Sequence, residues 1–148
     1  MLKYKFVPHT ADVRFLSYGR NFEELIANSM LAMFDTEASI SAIAKDAEHK
    51  LVKTKILKIK ESATSERDLL WYMLQKALSE LDSIGAYGYS VEGVKVKSSG
   101  SSIEAYASIG YVDEKVKYSK IYVKGVSGYT LEVRHEKERY MASIVIDI

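Results

Sequence analysis

Cysteine is absent from the 148 residues, and proline occurs once, as Pro8. Without thiols there is no disulfide framework, no thiolate zinc site and no cysteine nucleophile. Histidine is scarce: His9, His49 and His135 are the only three, and no two are spaced to share a zinc ion. Neither charge sign is in excess. Twenty-one Lys and Arg against 20 Asp and Glu leave +1, so composition carries no footprint of a general nucleic-acid binder. No apolar run reaches the length of a membrane span or a signal sequence, and a cytoplasmic location is expected. There is no phosphate-cradling glycine loop and no Gly-x-Ser-x-Gly elbow. Gly85, Gly88 and Gly93 are spaced irregularly, as turn residues are.

What is present suits one domain, residues 1–148. Hydrophobic content of 47% and charged content of 28% are ordinary for a globular chain. A chain of this length buries about two-thirds of its unfolded surface and needs no staples. Eleven tyrosines beside a single proline favour strands.

Leu2, Tyr4 and Phe6 alternate with Lys3 and Lys5, and Pro8 ends that strand. Val13 to Tyr18 reads as a second strand. Asn21 and Glu24 form a capping-box pattern for a helix to about Phe34, with Phe22, Leu25, Ile26, Met30, Met33 and Phe34 on one stripe. Residues 35–49 read as loop with at most a short helical turn. Val52, Thr54 and Ile56 alternate with Lys53 and Lys55, a strand with one wet face. Its lysines suit a solvated edge, with an RNA-facing patch as the alternative. Ser65 and Asp68 open a second helix carrying Leu69, Leu70, Met73, Leu74, Ala77, Leu78 and Leu81, which Gly85 ends. Beyond it the pattern is strands and turns: 89–91, 94–96, 103–109, 115–123, 129–134 and 140–148. Helices that do not alternate with strands predict an α+β fold: a mainly antiparallel curved sheet with two long helices packed against it.

Two short stretches stand out. His9-Thr10-Ala11-Asp12 is a polar knot between apolar segments, and Asp147-Ile148 closes the chain. If the two strand ends lie side by side, the Asp12, Asp147 and terminal carboxyl groups converge. Such groups repel unless a cation sits between them, and a hard one such as Ca²⁺ or Mg²⁺ is the natural guess. The other reading is a turn capped by Asp12 and a fraying tail.

His9-Thr10-Ala11-Asp12, then Tyr18-Gly19, Phe22-Glu23-Glu24-Leu25, Phe34-Asp35 and a final Asp147-Ile148 together resemble the archease family, in its order and roughly at its spacing. The resemblance implies a divalent cation, described as calcium, held by Asp12, Asp147 and the main-chain oxygens of Ile148. It places His9 at the functional surface. Asp35 is a weaker ligand candidate, beside the simpler reading that it caps the loop after Phe34. Val116-Lys117 fits the family's Val-Lys, which adds Lys117 to the surface, while the Thr-Tyr-His that follows in many members is not matched here.

The resemblance further implies a job rather than a reaction. Archease resembles an accessory factor of the RtcB-type RNA-splicing ligase, promoting its guanylylation and multiple turnover in tRNA splicing. The protein would be no enzyme itself and would meet tRNA only indirectly or weakly. An older alternative is a chaperone-like modulator of a tRNA methyltransferase. From the residues, two others compete: a metal-dependent phosphoester hydrolase, and an RNA-binding module using the lysines of 50–60 and 115–124.

Overall fold

A computed structural model of the chain describes residues 1–8 and 12–148. The order is β1 (Tyr4–Val7), β2 (Val13–Gly19), α1 (Phe22–Glu37), α2 (Ile40–Glu48), β3 (Lys55–Ala63), α3 (Glu66–Ser83), β4 (Ala86–Ser99), β5 (Ser102–Asp113), a 3₁₀ turn (Val116–Tyr118), β6 (Gly125–Val126), β7 (Glu132–Glu136) and β8 (Arg139–Asp147). The fold is α+β, and every strand pair is antiparallel. The strands divide into two sheets. One runs β1-β2-β8-β6, with β7 also on β8; the other runs β3-β5-β4.

The helices form where their caps and apolar stripes dictate. Asn21 Oδ1 accepts the Glu24 N–H at 2.8 Å, and Ser65 Oγ accepts that of Asp68 at 3.1 Å, satisfying donors that a helix start leaves orphaned. Helix α1 packs on β2 and β4, and α3 on β3. Their stripes meet one core that draws Phe15 and Ile144 from the first sheet and Ala105 and Ile109 from the second. Burying such side chains is the main stabilising term, at roughly 1.5–3 kcal/mol for a large one.

Four stretches differ from the sequence reading. Residues 35–49 are no loop: α1 continues to Glu37, and α2 fills Ile40–Glu48. Ile43 is the one fully buried side chain of α2, and it packs with Ala38, Val112 and Tyr118 in a small separate cluster. So slight an apolar face among charged and small residues leaves little periodic signal. The stretch 115–123 is no strand. The Lys120 and Ile121 N–H groups donate instead to the Glu37 and Thr36 carbonyls, which the end of α1 leaves without partners. The wet-face strand lies further on, at Lys55–Ala63. The segments 89–91 and 94–96 are one long strand, β4, whose register shifts between Gly88 and Ser90 and between Val91 and Gly93. Such bulges interrupt the period of two that marks a strand.

Candidate functional site

Strands β2 and β8 pair with Val13 opposite Ile146. One step beyond that pair stand Asp12 on one side and Asp147 on the other. The strands that carry them are fixed by buried pairs such as Phe15 opposite Ile144, because a one-residue slip would turn every core side chain outward. The juxtaposition of the two aspartates is therefore a consequence of core packing. On its far side Asp147 pairs with Gly125 of β6, and the Lys124 N–H donates to the Asp147 carbonyl at 2.8 Å.

Gly125 lies against this corner. A Cβ placed there would come within 3.9 Å of Asp147 Oδ2 and 3.8 Å of Gln75 Oε1. Gln75, on α3, accepts the Val126 N–H at 3.0 Å. It is an oxygen donor beside Asp147 that the sequence did not flag, since α3 reads as a plain amphipathic helix. Asp147 is exposed, and Ile148 is 37% exposed. Among the described residues no group of three or more His, Cys, Asp or Glu side chains could hold a metal ion. A cation here would depend on two carboxylates with amide, main-chain or water oxygens.

Asp12 is half-buried and lines a depression of about 380 Å³ with Phe6, Asp35, Lys120 and Ile121. The structure thus brings Asp35 to Asp12, but both Asp35 carboxylate oxygens are engaged. Tyr4 donates its hydroxyl to Oδ2 at 3.0 Å, and Lys120 Nζ reaches Oδ1 at 3.0 Å and the Asp35 carbonyl at 2.8 Å. Burial, then the Asp35 charge, then this hydrogen bond push the Tyr4 phenol up to about 12, so it stays a donor at neutral pH. Asp35 therefore ties α1, β1 and the 118–121 segment together. Lys120 was not singled out from the sequence, although it lies only three residues past Lys117.

Lys117 is drawn elsewhere. Its Nζ lies 3.2 Å from Asp46 Oδ2 on α2, and Tyr118 donates to the same oxygen at 2.5 Å. The Tyr118 hydrogen bond first, and Lys117 second, hold the Asp46 carboxyl below its ordinary range. His9, Thr10 and Ala11 lie outside the described residues.

Glu37, the last residue of α1, is perturbed in the other direction. Burial, then the charges of Asp82 and Glu114, push its carboxyl up to about 8. Between about pH 4.5 and 8 the native state holds a proton that the unfolded state has released, so stability falls as pH rises through this window. Glu37→Gln should flatten that slope and be more stable than the parent at pH 9, by at least about 1 kcal/mol after solvent screening of this half-buried group. Urea titrations at pH 5, 7 and 9 measure it; parallel profiles for the two proteins would contradict it.

Comparison with known proteins adds family and fold. The model of the Archease protein family matches residues 4–148. The protein archease of Methanosarcina mazei is 29% identical over 148 residues, covering 99% of this chain and 96% of its own length. That of Archaeoglobus fulgidus is 26% identical over 147 residues, covering 99% and 100%. Among solved structures, protein 1598 of Methanobacterium thermoautotrophicum superposes with a TM-score of 0.81 at 21% identity, over 99% of both chains. An archease of Thermotoga maritima, described as a possible chaperone, superposes at 0.61 with 14% identity, over 97% of this chain and 96% of that one. Among the described residues no helix is long and apolar enough to cross a membrane.

Proposed function

The chain belongs to the archease family, and on that premise we propose that it is an accessory protein of the RtcB-type RNA-splicing ligase, with no turnover of its own. It promotes guanylylation of the ligase and repeated rounds of tRNA joining, and a divalent cation, Ca²⁺ first, is part of its working form. The observation that supports this reading is the placement of Asp12 and Asp147 one step beyond the Val13–Ile146 pair.

The donor set fits a hard cation. Asp12 and Asp147 offer carboxylate oxygens, Gln75 an amide oxygen nearby, and Ile148 main-chain oxygens. Oxygen donors in irregular geometry suit Ca²⁺, which takes six to eight of them. Asp12, Asp147 and Ile148 would hold it, and water or a partner group would complete the shell. A bound cation would neutralise the two carboxylates and offer a partner open coordination positions. The chain's own residues would do the positioning: the register of β2 and β8 puts the Asp12 and Asp147 backbones one step beyond the Val13–Ile146 pair, and Gly125 borders Asp147.

The test is multiple-turnover ligation with the cognate ligase, GTP and divalent metal. The protein should raise the guanylylation rate and the number of products per ligase. No effect over a range of concentrations would overturn the proposal. Phosphate release from esters without any ligase would favour the hydrolase alternative. A change confined to a tRNA methyltransferase would favour the chaperone-like one.

A further inference from the structure

The near-zero net charge conceals a local imbalance on the outer face of the β3-β5-β4 sheet. Ala105, Ala107 and Ile109 of β5 are buried, so Glu104, Tyr106 and Ser108 point to the opposite face. The register lines them up in rows across the three strands. Lys58, Ser108 and Gly93 form one row, Lys60, Tyr106 and Lys95 the next, and Ser62, Glu104 and Lys97 the third. One end of this face is covered where Ile43 of α2 and Tyr118 pack on Val112 and Tyr87. The end bearing the lysines is bare, and Lys58, Lys60, Lys95 and Lys97 are all exposed.

Tyr106 occupies the centre, on the middle strand. Lys60 Nζ lies 5.5 Å from its ring centroid and Lys97 Nζ 5.6 Å. The ring is held by its hydroxyl, which donates to Glu104 Oε2 at 2.7 Å. Next to it is a depression of about 290 Å³ lined by Lys58, Gly93, Lys95, Tyr106 and Ser108. Gly93 makes the dent: a Cβ there would meet nothing within 4 Å. Among the described residues none of the four lysines forms an ion pair. Of the two acids bordering the face, Glu104 is occupied by Tyr106 and Glu92 accepts the Ser90 hydroxyl at 2.8 Å.

We infer that this face is a binding platform for single-stranded RNA, with a base stacked on Tyr106 and the flanking phosphates met by Lys58, Lys60, Lys95 and Lys97. An aromatic ring on a sheet's central strand accepts any base, and lysines on both sides track the backbone. Charge complementarity selects a polyanion, and the ring in the dent selects one with unpaired bases. A duplex, whose bases are already stacked, could use the lysines alone. The choice of RNA over DNA rests on the accessory role proposed above. Binding itself does not, because it is measured on the protein alone, in EDTA and without ligase. Failure of either reading leaves the other standing.

The experiment is fluorescence-anisotropy titration of a labelled 12-nucleotide RNA. The expected Kd at 50 mM salt lies between about 1 and 100 μM, with a log–log salt slope between about −2 and −3 for three to four phosphate contacts. Lys60→Glu with Lys97→Glu should weaken binding at least about tenfold and flatten the slope by about 1.4. Tyr106→Leu should cost at least about fivefold, whereas Tyr106→Phe, which keeps the ring but loses its anchor on Glu104, should cost less than about threefold. Lys3→Glu with Lys5→Glu, just before β1 and at its start, on the other sheet, should change affinity less than about twofold. Equal loss in that control, no loss in Tyr106→Leu, or equal affinity for a duplex of the same length would overturn the inference. So would no saturable binding below about 100 μM, which would leave the lysines to an acidic protein segment.

Discussion

Replacing Asp147 or Asp12 by alanine should lower Ca²⁺ affinity by about 100-fold while leaving the protein folded. Each substitution removes one of two side-chain carboxylates from a donor set with no other anionic side chain proposed. Ca²⁺ affinity is tuned by the number of charged ligands, and a 100-fold loss corresponds to about 2.8 kcal/mol. The effect on stability runs the other way. Without metal, two carboxylates carried one step beyond the Val13–Ile146 pair would repel, so the melting temperature in EDTA should hold or rise. Neither side chain belongs to the core, which takes Ile144 and Ile146 from β8 and has Val13 packed against it. Calorimetric Ca²⁺ titration of parent, Asp12→Ala and Asp147→Ala, paired with melts in EDTA, reads both effects. Unchanged affinity in either variant would remove that residue from the site, and unfolding in EDTA would make it structural. Ligase activation should fall with calcium affinity in both variants.

The largest loss of stability is expected from Gly19→Ala. A Cβ at Gly19 would lie 2.4 Å from the Leu25 nitrogen, 2.8 Å from the Asn21 carbonyl oxygen and 2.9 Å from the Glu24 carbonyl carbon. All three are backbone atoms at the start of α1, so no side-chain rotation relieves the clash. Gly19 is also paired with Tyr140 of β8, so the strand cannot retreat without breaking its ladder. The helix would have to move, disturbing Asn21's cap and the packing of Phe22 on Tyr140, whose rings lie 5.8 Å apart. Overpacking of this kind costs about 3 kcal/mol or more, which for a domain of this size lowers the melting temperature by roughly 6–12 °C. Gly93→Ala is the control, since its Cβ would enter open space, and it should melt within about 2 °C of the parent. A Gly19→Ala protein as stable as that control would show that α1 can shift freely on β2.

Much of the chain is legible because the physics concerned is local. The caps at Asn21 and Ser65 need only a side-chain oxygen three residues before an N–H, and both form as the sequence predicts. The stripes of α1 and α3 need only a period near 3.6, and they enclose the core. The alternation of Ala142, Ile144 and Ile146 marks β8, and all three are buried. The chemistry proposed for the site rests on residue type alone. Two aspartates at opposite ends of the chain are hard oxygen donors, and their motifs carry the resemblance to the archease family.

The rest is decided at long range. Whether Asp12 meets Asp147 depends on the β2–β8 register, which is set by residues such as Phe15 and Ile144 that lie 129 positions apart (144 − 15) in the sequence. Segment 115–123 has the alternation of a strand, yet the Tyr118 and Ser119 N–H groups close a local turn and those of Lys120 and Ile121 are taken by the carbonyls that end α1. Only the packed molecule shows those carbonyls to be within reach. Helix α2 has one fully buried side chain, so its position comes from a pocket built by Val112 and Tyr118 rather than from its own pattern. Net charge is the clearest case. It sums over the whole chain and predicts no nucleic-acid affinity. The lysines at 58, 60, 95 and 97 are brought around Tyr106 by the pairing of three strands. Composition is blind to that grouping because electrostatic attraction depends on where charges sit, over distances of about a Debye length, and not on how many there are.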